Sequence, residues 1–168
     1  MERIVHSQER LELMEALKAV PVSVTEATAG LSDDVLRFKP AENEWSIREV
    51  VGHLRDKAEI WAKRLYMVAT QTDPILAAFD GEASIREHNY QETAALGPLI
   101  DDLRANILRS VKLLEDTPDW TRLGRHAEFG RRSLHQWAQY LLDQETEHLP
   151  QIESLKRQAA GSGSGAPS

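Results

Sequence analysis

The chain has 168 residues, with 20 Lys and Arg against 27 Asp and Glu (net charge −7) and no cysteine. That length makes one domain the default, and the acidic balance argues against a clamp on a phosphate backbone, which needs clustered Lys and Arg. The missing thiol excludes disulfides, thiolate zinc sites and cysteine nucleophiles together.

Ser7 is placed to cap a first helix. Leu11, Met14, Leu17 and Val20 fall at helical spacing after it, and Pro21 marks a kink or restart. Ser32, followed by Asp33 and Asp34, opens a short helical turn with acids at the positive end of its dipole. After a loop over 40–43 comes the clearest helix start: Ser46 as N-cap, Glu49 completing a capping box, and Trp45 placed to staple onto Val50. Ile47, Val50, Val51, Leu54, Ala58, Trp61, Leu65 and Val68 then form one apolar stripe.

Asp73-Pro74 begins a long connector, in which Ser84 and Glu87 read as a weaker capping box for a short helix to Tyr90. Pro98 suits the first turn of the third long helix, whose stripe is Leu99, Ile100, Leu103, Ile107, Val111 and Leu114. Thr117-Pro118-Asp119 ends it. Residues 120–130 read as a loop rich in Arg and Gly, and Ser133 with Gln136 caps a last helix running to about Ala159. Strand signals are nearly absent. The expected fold is all-α: a four-helix bundle with no sheet and a long crossover connection over 71–97, so an up-down-up-down order is not required. The expected domain spans 1–160. Residues 161–168, GSGSGAPS, have the composition of a flexible tail or linker.

The chemistry signal sits on the last helix. With about 100° per residue, Leu134, Leu141, Ile152 and Ala159 centre an apolar stripe, yet Glu145 falls about 20° and His148 about 40° from that centre, with Gln144 on the flank. A buried carboxylate or imidazole without a partner costs several kcal/mol or shifts its pKa until it is neutral, in the order of magnitude expected for such groups. On the second long helix His53 lies at the stripe's edge, facing a neighbouring helix. One reading is a metal or acid–base site built from His53, Gln144, Glu145 and His148; the plainer one is a buried His148–Glu145 hydrogen bond that fixes helix register. Glu145-x-x-His148 matches the element used by di-iron bundles, but no second such element exists here. Pro150 leaves the Thr146 carbonyl without its helical donor, which gives either a curved helix or a bend that re-aims Gln144 and His148.

Elsewhere, His126 with Arg122, Arg125, Arg131 and Arg132 reads as a solvated basic loop or as an anion-binding rim near the helix start at Ser133. His6, His88 and His135 are scattered and expected to be exposed, and Trp61 and Trp137 are expected to pack. No Gly-rich phosphate loop and no nucleophile elbow is present.

Three segments carry a family resemblance. Trp45 to Leu54, WSIREVVGHL, resembles the "WSxxExxxHL" start of the second helix in the DinB/YfiT-like superfamily of damage-inducible bacterial proteins. Residues 120–134, with Gly130 and Ser133, resemble that family's loop into its last helix. Residues 144–152, QETEHLPQI, resemble its "HxxxHLxQI" ending. The resemblance implies a four-helix bundle with a crossover connection, often dimeric, around zinc or nickel held by three histidines. Mapped onto this chain those positions are His53, Gln144 and His148, so the middle ligand is a carboxamide, a weaker and harder donor than imidazole.

The resemblance also implies a metal-dependent thiol S-transferase or hydrolase acting on a small-molecule or thiol substrate. Glu145 would orient a histidine or serve as general base, and a homodimer is expected. Gln144 favours the alternative of a metal-free helical dimer with a binding or stress-associated structural role. No apolar run approaches the ~20 residues that cross a bilayer, and the opening MERIVHSQER is too polar for a signal peptide. The expected setting is therefore the cytoplasm, with neither membrane nor nucleic acid as partner.

Overall fold

The computed structural model describes residues 2–93 and 95–164. Among the described residues, eight helices and three short strands follow one another. They are α1 (Glu2–Thr28), α2 (Asp33–Arg37), α3 (Ile47–Thr70), β1 (Ile75–Leu76), α4 (Gly81–His88), α5 (Tyr90–Thr93), α6 (Leu96–Asp116), β2 (Leu123–His126), β3 (Gly130–Ser133), α7 (Leu134–Glu147) and α8 (Leu149–Ser164). The bundle is built from α1, α3, α6 and the α7–α8 pair. Helix α3 packs on α6 and α7, and α1 packs on the same two. Helices α1 and α3, consecutive long helices in the chain, therefore stand diagonally, which an up-down-up-down bundle would not allow. The connection between α3 and α6 carries β1, α4 and α5 across the bundle.

The stripes expected on α3 and α6 are buried along their whole length. Ser46 and Glu49 form the capping box of α3, and Ser133 and Gln136 that of α7. Ser32 caps α2 by accepting the Val35 N–H. No described helix is long and apolar enough to cross a membrane.

Five expectations need correction. Helix α1 starts before Ser7 and runs through Pro21 without interruption; its core face is Leu13, Met14, Leu17, Val20 and Val24, while Leu11 is 54% exposed. The short connector helix is capped by Asp80, whose carboxylate accepts the Ala83 N–H, and Ser84 instead donates to Asp56. The last helix is two helices that break at His148. That residue turns its N–H back to the Thr146 carbonyl, the acceptor that Pro150 leaves without a donor. Helix α8 continues through residues 161–164 of the expected tail; residues 165–168 and the His6 side chain lie outside the described residues.

Fifth, a small sheet exists. Strands β2 and β3 pair as an antiparallel hairpin, and β1 adds to β2 in parallel. Gly130, at φ 75°, makes the turn. The buried positions of β2 are Gly124 and His126, one without a side chain and one polar, so no apolar alternation marks the strand. The Trp137 indole N–H donates to the Gly124 carbonyl at 3.1 Å and ties the hairpin to α7.

Candidate functional site

Helices α3 and α7 run antiparallel and meet through a ladder of non-aliphatic side chains. On α3 the sequence sets His53, Lys57, Trp61 and Arg64 at spacings of four, four and three, which puts them on one face. On α7, Gln144, Tyr140 and Trp137 share a face in the same way, and His148 continues it at the break. The rungs follow in order. The His53 and His148 rings meet edge to face, 4.9 Å between centroids. The Lys57 ammonium donates to Gln144 Oε1. The Trp61 indole lies 5.3 Å from the Tyr140 ring and 5.4 Å from that of Trp137.

The structure thus brings His53, Gln144 and His148 to one seam. His53 is 5% exposed. Burial pushes its imidazole down to about 3, with the charges of His148 and Lys57 acting in the same direction. It is therefore neutral near pH 7, which is the form that ligates metals. Its Nδ1 is sealed from solvent without a hydrogen-bond partner. Gly81, at the start of α4, packs on this ring: a Cβ there would lie 2.6 Å from Cε1 and 3.0 Å from Nδ1. Trp45 covers the other side, 4.7 Å from His53 and 6.4 Å from His148, rather than serving only as a helix staple.

His148 is half-buried, and its Nδ1 lies 3.0 Å from Gln151 Oε1. An amide oxygen only accepts, so Nδ1 carries a proton, and it is Nε2 that holds the lone pair in the neutral ring. A ligating histidine is usually oriented by an acceptor in this way. His148 lines a cleft of about 360 Å³ with Trp45 and Gln151. His53 lines a separate cavity of about 600 Å³ under the hairpin. Trp45 and Glu82 border both.

Glu145 has 0% exposure, and neither carboxylate oxygen has a partner. Burial raises its pKa well above the ordinary carboxylate range, opposed only by Lys57. The expected bond from Glu145 to a histidine is absent, and Glu145 lines neither cavity. Glu147 is exposed and accepts from Gln144 Nε2 at 3.4 Å. Among the described residues no group of three or more His, Cys, Asp or Glu stands close enough to hold an ion. The donor set is therefore two imidazoles and one carboxamide, and the carboxamide oxygen is already taken by an ammonium.

Sequence reasoning missed Lys57, Gly81, Gln151 and Arg64. The signal for Lys57 and Arg64 was their helical spacing from His53; long cations at the edge of a stripe read as surface, although Arg64 is only 8% exposed. The arginines read as a solvated basic loop or as an anion-binding rim are engaged within the fold. Arg125 and Arg131 pair with Asp73, Arg122 donates to the Val68 and Gln71 carbonyls, and Arg132 lies over the Phe129, Trp137 and Tyr140 rings. His126 is buried on β2, not in a loop. His88 is exposed as expected, and His135 is half-buried against Trp120.

The fold has likenesses among known proteins. The fold is similar to that of YfiT from Bacillus subtilis, described as a probable metal-dependent hydrolase with an unusual four-helix bundle topology. The TM-score is 0.81 and the identity 21%, over 90% of this chain and 87% of that one. In sequence the chain is similar to the uncharacterized protein YuaE of Bacillus subtilis (strain 168), 25% identical over 76% of this chain and 86% of that one. Residues 16–152, which contain all four bundle helices in whole or in part and the complete His53–His148 seam, match the DinB superfamily, and the chain belongs to that family.

Proposed function

We propose that the chain is a small-molecule hydrolase whose site lies on the α3–α7 seam and takes a divalent metal ion. His53 and His148 would hold the ion, with Gln144 Oε1 as a weak third donor. One observation carries this reading: two imidazoles face each other across the seam, one kept neutral by burial and the other oriented by Gln151. The likeness to a probable metal-dependent hydrolase supports the choice of reaction. A bound divalent ion supplies acidity to a coordinated water or thiol. The chain's own part is to position and to exclude water. Gly81 and Trp45 fix the His53 ring between them, and Lys57 holds Gln144 on the seam. Thiol S-transfer is a variant of the same proposal, with a thiol in place of water.

The fit is incomplete at one position. Gln144 Oε1 reaches an ion only after the Lys57 ammonium lets go, and that positive charge weakens the site for any cation. This favours a second reading, a metal-free binding protein in which the polar ladder is structural. Metal analysis by mass spectrometry on untagged protein, after incubation with zinc or nickel, separates the two. Near one ion per chain, lost in His148→Ala, is expected. No ion in the parent protein, or full retention in His148→Ala, overturns the metal reading and leaves the binding-protein reading standing.

A further inference from the structure

At the other end of the ladder the cavity under the hairpin holds a cation that no described carboxylate pairs with. Arg64 is 8% exposed. It donates to the Ala77 carbonyl and stacks over Trp61 at 4.8 Å. No described carboxylate stands at ion-pair distance from it. A guanidinium stays charged, offers five N–H donors in a fork, and is costly to bury unpaired. Burial pulls Arg64 down from its ordinary value, so its neighbours do not compensate the charge.

His126 lines the same cavity. Its Nδ1 accepts the Glu128 N–H at 3.0 Å and the Phe129 N–H at 3.4 Å. Burial, with Arg64 nearby, lowers its pKa, so near pH 7 the ring is neutral and carries its one proton on Nε2. Lys57 lines the cavity as well, whereas its carboxylates, Asp80, Glu82 and Glu128, are exposed. Trp61, Phe129 and Tyr140 give it aromatic walls.

We propose that this cavity binds the anionic group, carboxylate or phosphate, of a small molecule with an apolar or aromatic body, and that Arg64 is the anchor, assisted by the His126 Nε2–H. A guanidinium fork matches either anion in a two-point bond. Arg64 lies eleven residues beyond His53, roughly 16 Å along the helix axis at 1.5 Å per residue. The ligand's anionic end is thus set well apart from the end that reaches His53. That the ligand is the substrate rests on the reading above; that the cavity takes an anion does not.

The test is a calorimetric titration of the full chain, freed of metal by chelator so that no anion reports by ligating an ion. The probes are phenyl phosphate, 4-phenylbutyrate and the uncharged 4-phenylbutanol. Both anions, or one of them, should bind at least tenfold more tightly than the alcohol, and the stronger anion identifies the group the fork prefers. Arg64→Gln should lower anion affinity at least tenfold and leave the alcohol unchanged, with Arg64→Lys in between. If Arg64→Gln does not fold by circular dichroism, Arg64→Lys and His126→Phe carry the comparison, and each should weaken the anions alone. Equal affinity for anion and alcohol, no binding of either anion, or anion affinity unchanged in the folded variants would overturn the proposal. Zinc uptake measured on separate, unchelated aliquots of the same proteins keeps the two readings apart: anion binding in a protein that takes up no zinc sinks the metal site alone, and zinc uptake without anion binding sinks the anchor alone.

Discussion

Helix α3 has two neighbours of opposite character. Toward α6 it meets a stripe of aliphatic residues, Leu99, Leu103, Ile107, Val111 and Leu114, each at most 5% exposed. Toward α7 it meets His148, Gln144 and Tyr140, and that seam contains an unpartnered imidazole nitrogen and an unpartnered carboxylate. The first seam removes apolar area from water and so stabilises the fold. The second gives some of that stability back, because buried polar groups without partners are costly. Proteins accept such local losses where a site needs particular groups in a particular place. The two seams lie on one helix, so each can be perturbed with the other as control.

The largest effect is expected on the aliphatic side. Ile107→Ala should destabilise the fold by about 3 kcal/mol, as cavity-forming core truncations do. Calorimetry should show a fall in Tm of roughly 10 °C for a chain of this size, while zinc uptake below the transition stays at the parent level. A comparable loss from His53→Ala would break the division between seams.

Next comes Gly81→Ala. The new methyl would sit 2.6 Å from the His53 ring, which Trp45 and His148 leave no free direction. The strain should cost about 1–3 kcal/mol, the usual range for overpacking, and zinc binding should weaken with it. An unchanged zinc affinity would show that ring placement does not matter. Gln144→His replaces the weak donor by an imidazole and removes the oxygen that holds Lys57. Zinc affinity should rise about tenfold or more, in the range over which outer-shell and donor changes act, as read by competition with a chromogenic chelator.

The smallest expected effect depends on pH. Burial raises the pKa of Glu145, so the folded state holds its proton more tightly than the unfolded chain does. Its contribution is complete below the ordinary value of 4.5 and is lost as pH rises through the folded value. Glu145→Gln should therefore match the parent's Tm near pH 4 and exceed it by a few degrees at pH 8. His53 works in the opposite sense. Its folded value of about 3 lies below the ordinary 6.5, so its contribution is complete above 6.5 and is lost on acidification toward 3. A Glu145→Gln protein whose advantage grew toward acid would contradict the buried, protonated carboxylate.

The aliphatic seam was legible from the sequence because burial of Leu, Ile and Val repeats with the helical period, and the capping boxes at Ser46 and Ser133 fixed where α3 and α7 begin. His53, Gln144 and His148 stood out as polar groups on or beside such stripes. Lys57 and Arg64 did not, because a periodicity count assigns every cation to water, while here Arg64 is buried over Trp61 and Lys57 is half-buried against Gln144. The hairpin was hidden for the reverse reason: its inward positions, Gly124 and His126, add nothing to an apolar pattern. The break at His148 was half visible, since Pro150 announced a missing donor without saying whether the helix would bend or stop.

The mixed chemistry of the α3–α7 ladder also limits how the chain can misassemble. Aliphatic ridges tolerate a slide of one helical turn, about 5.4 Å, because one leucine replaces another. Sliding α7 by a turn along α3 would instead set the Lys57 ammonium against His148 and the Gln144 amide against the Trp61 indole, with every directional partner lost at once. Single polar positions are known to fix alignment in paired helices at some loss of stability. Here three successive rungs would do so together, giving the chain one alignment in which its helices fit.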